Sequence, residues 1–175
     1  MRRLMILRHA KAERPEPGGR DHERTLNGRG REDAGTIGTY MARHGLIPDR
    51  VAVSTAVRTR ETWQYAAGAF PGSVTVAFEQ RLYDAVPHTI LDVIKRTPAD
   101  VHSLLVIAHN PGLQSTALLL VGTGDTDVRQ RLSEKLPTSG LVVIDFAVDD
   151  WEEMHRHGGR LDRFVTPRSI AAATD

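Results

Sequence analysis

Two histidines and two arginines of this chain recur at positions suited to handling a phosphoryl group. Arg8-His9 directly follows the apolar run Leu4-Met5-Ile6-Leu7, and His109 directly follows the run from Leu104 to Ala108. Both imidazoles therefore fall at the carboxyl ends of expected strands. A third segment, Ser54-Thr55-Ala56-Val57-Arg58, begins where the run Val51 to Val53 stops, so a helix opening there turns Arg58 towards the same edge. A transferring phosphoryl group spreads negative charge over three oxygens, and fixed cations aimed at those oxygens stabilise its transition state. Guanidinium forks match that geometry. An unprotonated imidazole can attack the phosphorus in line and carry it as a covalent phosphohistidine that water then cleaves. Neighbouring arginines assist, because like charge disfavours the imidazolium and lowers the pKa of His9.

The elements that must position these groups are legible as short apolar runs separated by segments of helical spacing. Strands are expected at Leu4 to Leu7, Val51 to Val53, Val74 to Phe78, Leu104 to Ala108 and Leu141 to Phe146. A helix is expected after Asn27 as N-cap, ending near Gly45, with others at Val57 to Ala69, Thr89 to Arg96 and Pro111 to Val121. The last opens with Asn110 as N-cap and Pro111 at the first helical position. The alternation predicts an α/β fold, with helices on both faces of a mostly parallel sheet joined by right-handed crossovers. The stretch Lys11 to Glu23, with Pro15, Pro17, Gly18 and Gly19, reads as a surface loop. Loops leaving the carboxyl end of a strand are where such sheets hold ligands.

Composition narrows the field. At 175 residues the chain is expected to form one domain, residues 1–175, able to bury roughly 70% of its unfolded surface without disulfide or metal. Its tail from Ser169 is expected to fray. The net charge of +1 provides no global field for nucleic acid or an anionic membrane. The absence of cysteine removes thiolate chemistry and fits a reducing cytoplasm. The apolar run at the N-terminus is four residues long before Arg8, short of the ~7–15 of a signal peptide.

With these segments in view, Leu7-Arg8-His9-Ala10 resembles the Arg-His-Gly-type motif of the histidine phosphatase superfamily, and the chain is most similar to its short SixA-type phosphohistidine phosphatases. The likeness runs to about Phe146, through Asn27 with Gly30 to Ala34, Ser54 with Arg58, Leu82-Tyr83-Asp84-Ala85, and His109-Asn110-Pro111-Gly112. The resemblance implies a phosphoglycerate mutase-like three-layer αβα sandwich. It implies His9 as phosphorylated nucleophile, and Arg8, Arg58 and His109 as catalytic phosphate ligands, with Asn27 as a further substrate-binding candidate. Ala10 stands where most of the superfamily has Gly, and Thr55 where Pro is usual. Where larger branches carry a Glu acid only Asp84 is found, a candidate proton donor or a cap for the helix near Thr89.

The implied activity is a metal-independent, cofactor-free phosphatase acting on phosphohistidine in a protein. The alternatives are a small-molecule phosphomonoesterase or mutase of the same superfamily, and a non-catalytic phosphate-binding module. Nucleotide phosphate loops of the G-x-G-x-x-G and G-x-x-x-x-G-K-[ST] types are absent. His155-x-His157 lies in an expected turn between strands without a third metal ligand nearby. Arg129 to Lys135 reads as a solvated helix face, and His44 as a complement to a helix C-terminus.

Overall fold

The computed structural model describes residues 1–173. Strands β1 (Arg2–Arg8), β2 (Arg50–Ser54), β3 (Thr75–Glu79), β4 (Ser103–Ala108), β5 (Val121–Gly124), β6 (Leu141–Phe146) and β7 (Gly159–Val165) form one sheet in the order β3-β2-β4-β1-β6-β7-β5. Only β6 runs against the rest: it pairs antiparallel with β1 and β7, whereas the other neighbours are parallel. The helices are α1 (Gly28–Arg43), α2 (Val57–Ala67), α3 (Pro87–Lys95), α4 (Gly112–Leu120), α5 (Thr126–Glu134) and α6 (Pro167–Ala173).

The central strands are buried on both faces because their alternating side chains feed two separate cores. Leu4, Ile6, Leu104, Val106, Val142 and Ile144 pack under Ile90 and Ile94 of α3, Leu113 of α4 and Leu132 of α5. Met5, Leu7, Leu105, Ile107, Leu141 and Val143 face Ile37 and Met41 of α1 and Trp63 of α2. The result is the three-layer αβα sandwich. A continuous apolar run without period-2 polarity is what a strand needs when both its faces are covered.

Some expectations required correction. Helix α4 begins at Gly112 with Pro111 in the cap position, so Asn110 is not its N-cap. The Asn110 carboxamide instead accepts from Gln114 N–H at 3.2 Å and donates to the Leu136 carbonyl at 2.9 Å. Helix α3 starts two residues before Thr89, at Pro87, with Val86 at the cap and no side-chain cap bond. Asp84 therefore caps nothing. Ser169 lies within α6, which spans Pro167–Ala173 and opens on reciprocal Thr166–Ser169 bonds of 2.9 and 3.0 Å. The last two positions of that expected tail lie outside the described residues. His44 caps α1, its Nδ1 donating to the Tyr40 carbonyl at 2.8 Å. No helix among the described residues is long and apolar enough to cross a membrane.

Candidate active site

Register brings the two histidines together. Strands β1 and β4 are adjacent and parallel, with Arg8 opposite Ala108, so the residues that follow leave the sheet side by side. The His9 N–H donates to the Ala108 carbonyl at 3.2 Å. The His9 and His109 rings lie 5.3 Å apart. On the far side of β4, strand β2 ends at Ser54, whose hydroxyl is 2.8 Å from His109 Nε2. Helix α2 then carries buried Arg58 back over this edge.

A hydrogen bond fixes which nitrogen of His9 is free. His9 Nδ1 lies 2.7 Å from the Ala10 carbonyl, which can only accept, so Nδ1 bears the proton and Nε2 keeps its lone pair. Ser54 Oγ receives the Ala56 N–H at 3.4 Å and holds His109 Nε2 at 2.8 Å, as donor or as acceptor according to the tautomer of that ring. Among the described residues His109 Nδ1 has no partner, nor do the buried Nε atoms of Arg8 and Arg58. Buried donors without acceptors are costly. An anion is a ligand that the two arginine Nε–H donors would take.

Electrostatics hold both rings neutral. Burial is the first cause that lowers His9 to a pKa of about 4; the Arg58, Arg8 and Arg24 charges add to it, and the bond to Ala10 opposes it. Burial likewise leads in lowering His109 to about 3, followed by Arg58 and His9, with Asp21 opposing. The arginines expected to depress His9 thus act, but desolvation acts more strongly.

Loops from both ends of the chain brace these residues. The Leu136 carbonyl accepts from Arg8 at 3.0 Å, and the Ser139 N–H reaches the carbonyls of Arg8 and His9 at 3.1 Å each. Gly112 lies so close to the segment after β3 that an added Cβ would fall 2.1 Å from the Ala85 carbonyl oxygen. This contact presses Tyr83 to Ala85 towards the start of α4. The Tyr83 ring meets His109 edge-on at 5.5 Å.

Sequence reasoning missed the cluster on the solvent side of Arg58. The loop between Lys11 and Leu26 is pinned at its base by Glu13 N–H to the Thr25 carbonyl (2.8 Å) and carries a 3-10 turn at Asp21–Glu23. From that turn the Asp21 carboxylate takes bonds from Arg58 (3.0 Å), Arg24 (3.0 Å) and the Tyr83 hydroxyl (2.5 Å), while its carbonyl accepts from Arg58 at 2.8 Å. The Tyr83 hydroxyl foremost, and then the Arg24 and Arg58 cations, hold the Asp21 pKa far below the carboxylate range against the opposing effect of burial. His22 Nε2 lies 2.9 Å from the Thr55 hydroxyl. The only signal in the sequence was a polar quartet, Asp21-His22-Glu23-Arg24, inside a loop already expected at the ligand edge.

Two other candidates fare differently. Asn27 sits at the head of α1, its carboxamide oxygen accepting the Gly30 N–H at 2.8 Å, which is a capping role. Asp84 is exposed, with a left-handed backbone at φ 52°, and no hydrogen bond or ion pair among the described residues ties it to the other groups. His155 and His157 occupy the turn leading into β7, and no set of three or more His, Cys, Asp or Glu among the described residues could hold a metal.

The sequence profile of the histidine phosphatase superfamily (branch 1) matches residues 4–86. A protein of Mycobacterium tuberculosis with no assigned activity is 35% identical over 164 residues, 93% of this chain and all of the relative. A structure from Agrobacterium tumefaciens, provisionally named a SixA phosphohistidine phosphatase, is 33% identical with a TM-score of 0.81, covering 95% of this chain and 98% of that one. The chain belongs to the histidine phosphatase superfamily. Within it the likeness is to the SixA type: a second structure given that provisional name, from Nakamurella multipartitia, is 27% identical at the same TM-score, over 95% of this chain and 96% of its own. The sandwich described above is the phosphoglycerate mutase-like fold of this superfamily.

Proposed function

We propose that this protein is a phosphohistidine phosphatase that works through a covalent intermediate on His9 and draws its charge stabilisation from fixed cations rather than a metal. The observation that carries the reading is the His9 ring itself: its Nδ1 proton is committed to Ala10, which leaves Nε2 free, and the ring, kept unprotonated by burial, lies 5.3 Å, centroid to centroid, from that of His109. In this reading the substrate phosphate lies against the unpartnered Nε donors of Arg8 and Arg58 and beside the His109 ring. His9 Nε2 attacks phosphorus, and the P–N bond to the substrate breaks. Water then attacks the phosphoryl group; the electron pair of the broken P–Nε2 bond returns to His9, which is neutral again, and phosphate leaves. The SixA names of the structural relatives support a phosphohistidine substrate.

The test uses purified protein without added metal, against a phosphohistidine-bearing peptide and a panel of sugar phosphates. Expected are faster turnover of the peptide, radiolabelled phosphate trapped on His9 after a rapid quench, and a loss on the order of 10³-fold or more in His9→Ala. Full activity of His9→Ala, with no label on the wild-type histidine, would defeat the proposal. Faster turnover of the sugar phosphates would instead move the protein to the small-ester branch.

A further inference from the structure

The described site lacks an acid placed to protonate a leaving group, but it does contain a carboxylate at its mouth. We infer that Asp21 is a substrate-recognising residue that accepts a hydrogen bond from the distal ring N–H of phosphohistidine, so that the substrate reacts as a phosphoimidazolium and needs no general acid. This rests on the phosphohistidine reading above and names how that substrate is selected.

Position supports the assignment first. The Asp21 side chain is 50% exposed, whereas the Arg58 side chain to which it is bonded is 8% exposed, so the carboxylate lies on the solvent side of the cation. A leaving group displaced in line by buried His9 departs towards solvent. Asp21 is also the acid whose charge reaches His109.

Valence supports it second. A carboxylate offers about four acceptor positions, and the groups facing Asp21 fill three of them: Arg58 from α2, Arg24 from its own loop and Tyr83 from the segment after β3. One position remains, on Oδ1, in a side chain that is half exposed. Arg58 gives Asp21 its two terminal nitrogens and keeps Nε unpartnered, so the phosphate and the carboxylate do not compete for the same donor. His22, packed against Tyr83 at 4.8 Å, and His109 complete the titratable surroundings.

Chemistry supports it third. Bound to three donors, Asp21 stays ionised far into acid, which unsuits it for giving a proton and suits it for holding one. The transfer then balances without an external proton. His9 Nε2 forms a bond to phosphorus as the substrate P–N bond breaks. The released electron pair neutralises the substrate ring, which leaves as imidazole with its distal N–H still against Asp21. His9 becomes the phosphoimidazolium, its Nδ1 proton on the Ala10 carbonyl. Water attack next returns neutral His9 and dihydrogen phosphate. An ester presents neither the distal N–H nor a ring that neutralises on departure.

The experiment compares wild type with Asp21→Asn on two probes, a phosphohistidine-bearing peptide and p-nitrophenyl phosphate. The expected result is a roughly tenfold to hundredfold fall in the ratio of kcat/KM for the peptide to that for the ester, the scale of one hydrogen bond to a charged group. Asp21→Glu restores part of that ratio. On the peptide alone, the alkaline limb of the rate profile moves to lower pH in Asp21→Asn, because the distal nitrogen loses its proton sooner. A ratio that changes by less than fivefold, with both probes slowed alike, would overturn the inference and assign Asp21 to holding Arg58. If wild type cleaves the ester but not the peptide, the phosphohistidine reading fails, and this inference falls with it.

Discussion

His9 and His109 show how burial and hydrogen bonding divide the work of tuning a side chain. The Ala10 carbonyl selects the tautomer of His9 and the Ser54 hydroxyl anchors His109 Nε2, while desolvation sets the charge of both rings. Proton NMR of the ring C–H signals is expected to show His9 titrating near pH 4 and His109 near pH 3. Saturation with inorganic phosphate should move both upward, since an adjacent dianion favours the imidazolium. A His9 ring titrating at the ordinary value of about 6.5 would mean that water reaches it freely. At this scale the sequence was informative where a residue followed an apolar run, as with Arg8, His9 and His109. It was silent about Asp21, whose partners Arg58 and Tyr83 are far away in the chain and were not paired with it by any local pattern.

Among the elements, α1 and α2 are the pair whose packing a single atom can test. An added Cβ at Gly38 would fall 2.2 Å from the Ala66 carbonyl oxygen, which is backbone and cannot turn aside. Gly38→Ala is expected to destabilise by about 1–3 kcal/mol, as overpacking does. Gly35, three residues earlier on the same helix, meets nothing within 4 Å. Gly35→Ala should therefore stabilise by roughly 0.5–1 kcal/mol, through helix propensity alone. Urea midpoints of the two variants check both signs, and equal effects would refute the close approach. The same scale shows why some elements were legible and others not. Strands β1, β4 and β6 are buried on both faces and so are written as uninterrupted apolar runs. Strand β5, Val-Gly-Thr-Gly, is four residues at the sheet edge, and β7 carries Arg160, Asp162 and Arg163. Neither presents a run. Polar side chains serve β7 because Arg160 reaches Asp145 on β6 at 3.5 Å and Arg163 reaches the Tyr40 hydroxyl at 3.1 Å.

Over the whole molecule, the neutral histidines couple the site to stability. Each has a folded pKa below its unfolded value of 6.5, so between that pH and its folded pKa the unfolded chain binds more protons than the folded one. Stability is then fully present above about pH 6.5 and declines as pH falls towards 4 for His9 and 3 for His109. Asp21, whose folded pKa is also depressed, adds a further loss at more acidic pH. The urea midpoint of wild type should fall steadily from pH 6.5 to 4, and that of the His9→Gln, His109→Gln double variant should fall less. A wild-type midpoint that is level across this window would contradict the burial of the two rings.

Taken alone, the sequence determined the alternation of buried strands and helices, and with it the edge at which Arg8, His9, Arg58 and His109 had to emerge. It could do so because a strand covered on both faces must be apolar throughout, and because the residue after such a strand has one place to go. The tertiary structure alone decided which strands are neighbours, which nitrogen of His9 is free, and that a loop carboxylate stands over Arg58. Those outcomes depend on register and on contacts between segments distant along the chain, and no local periodicity encodes them.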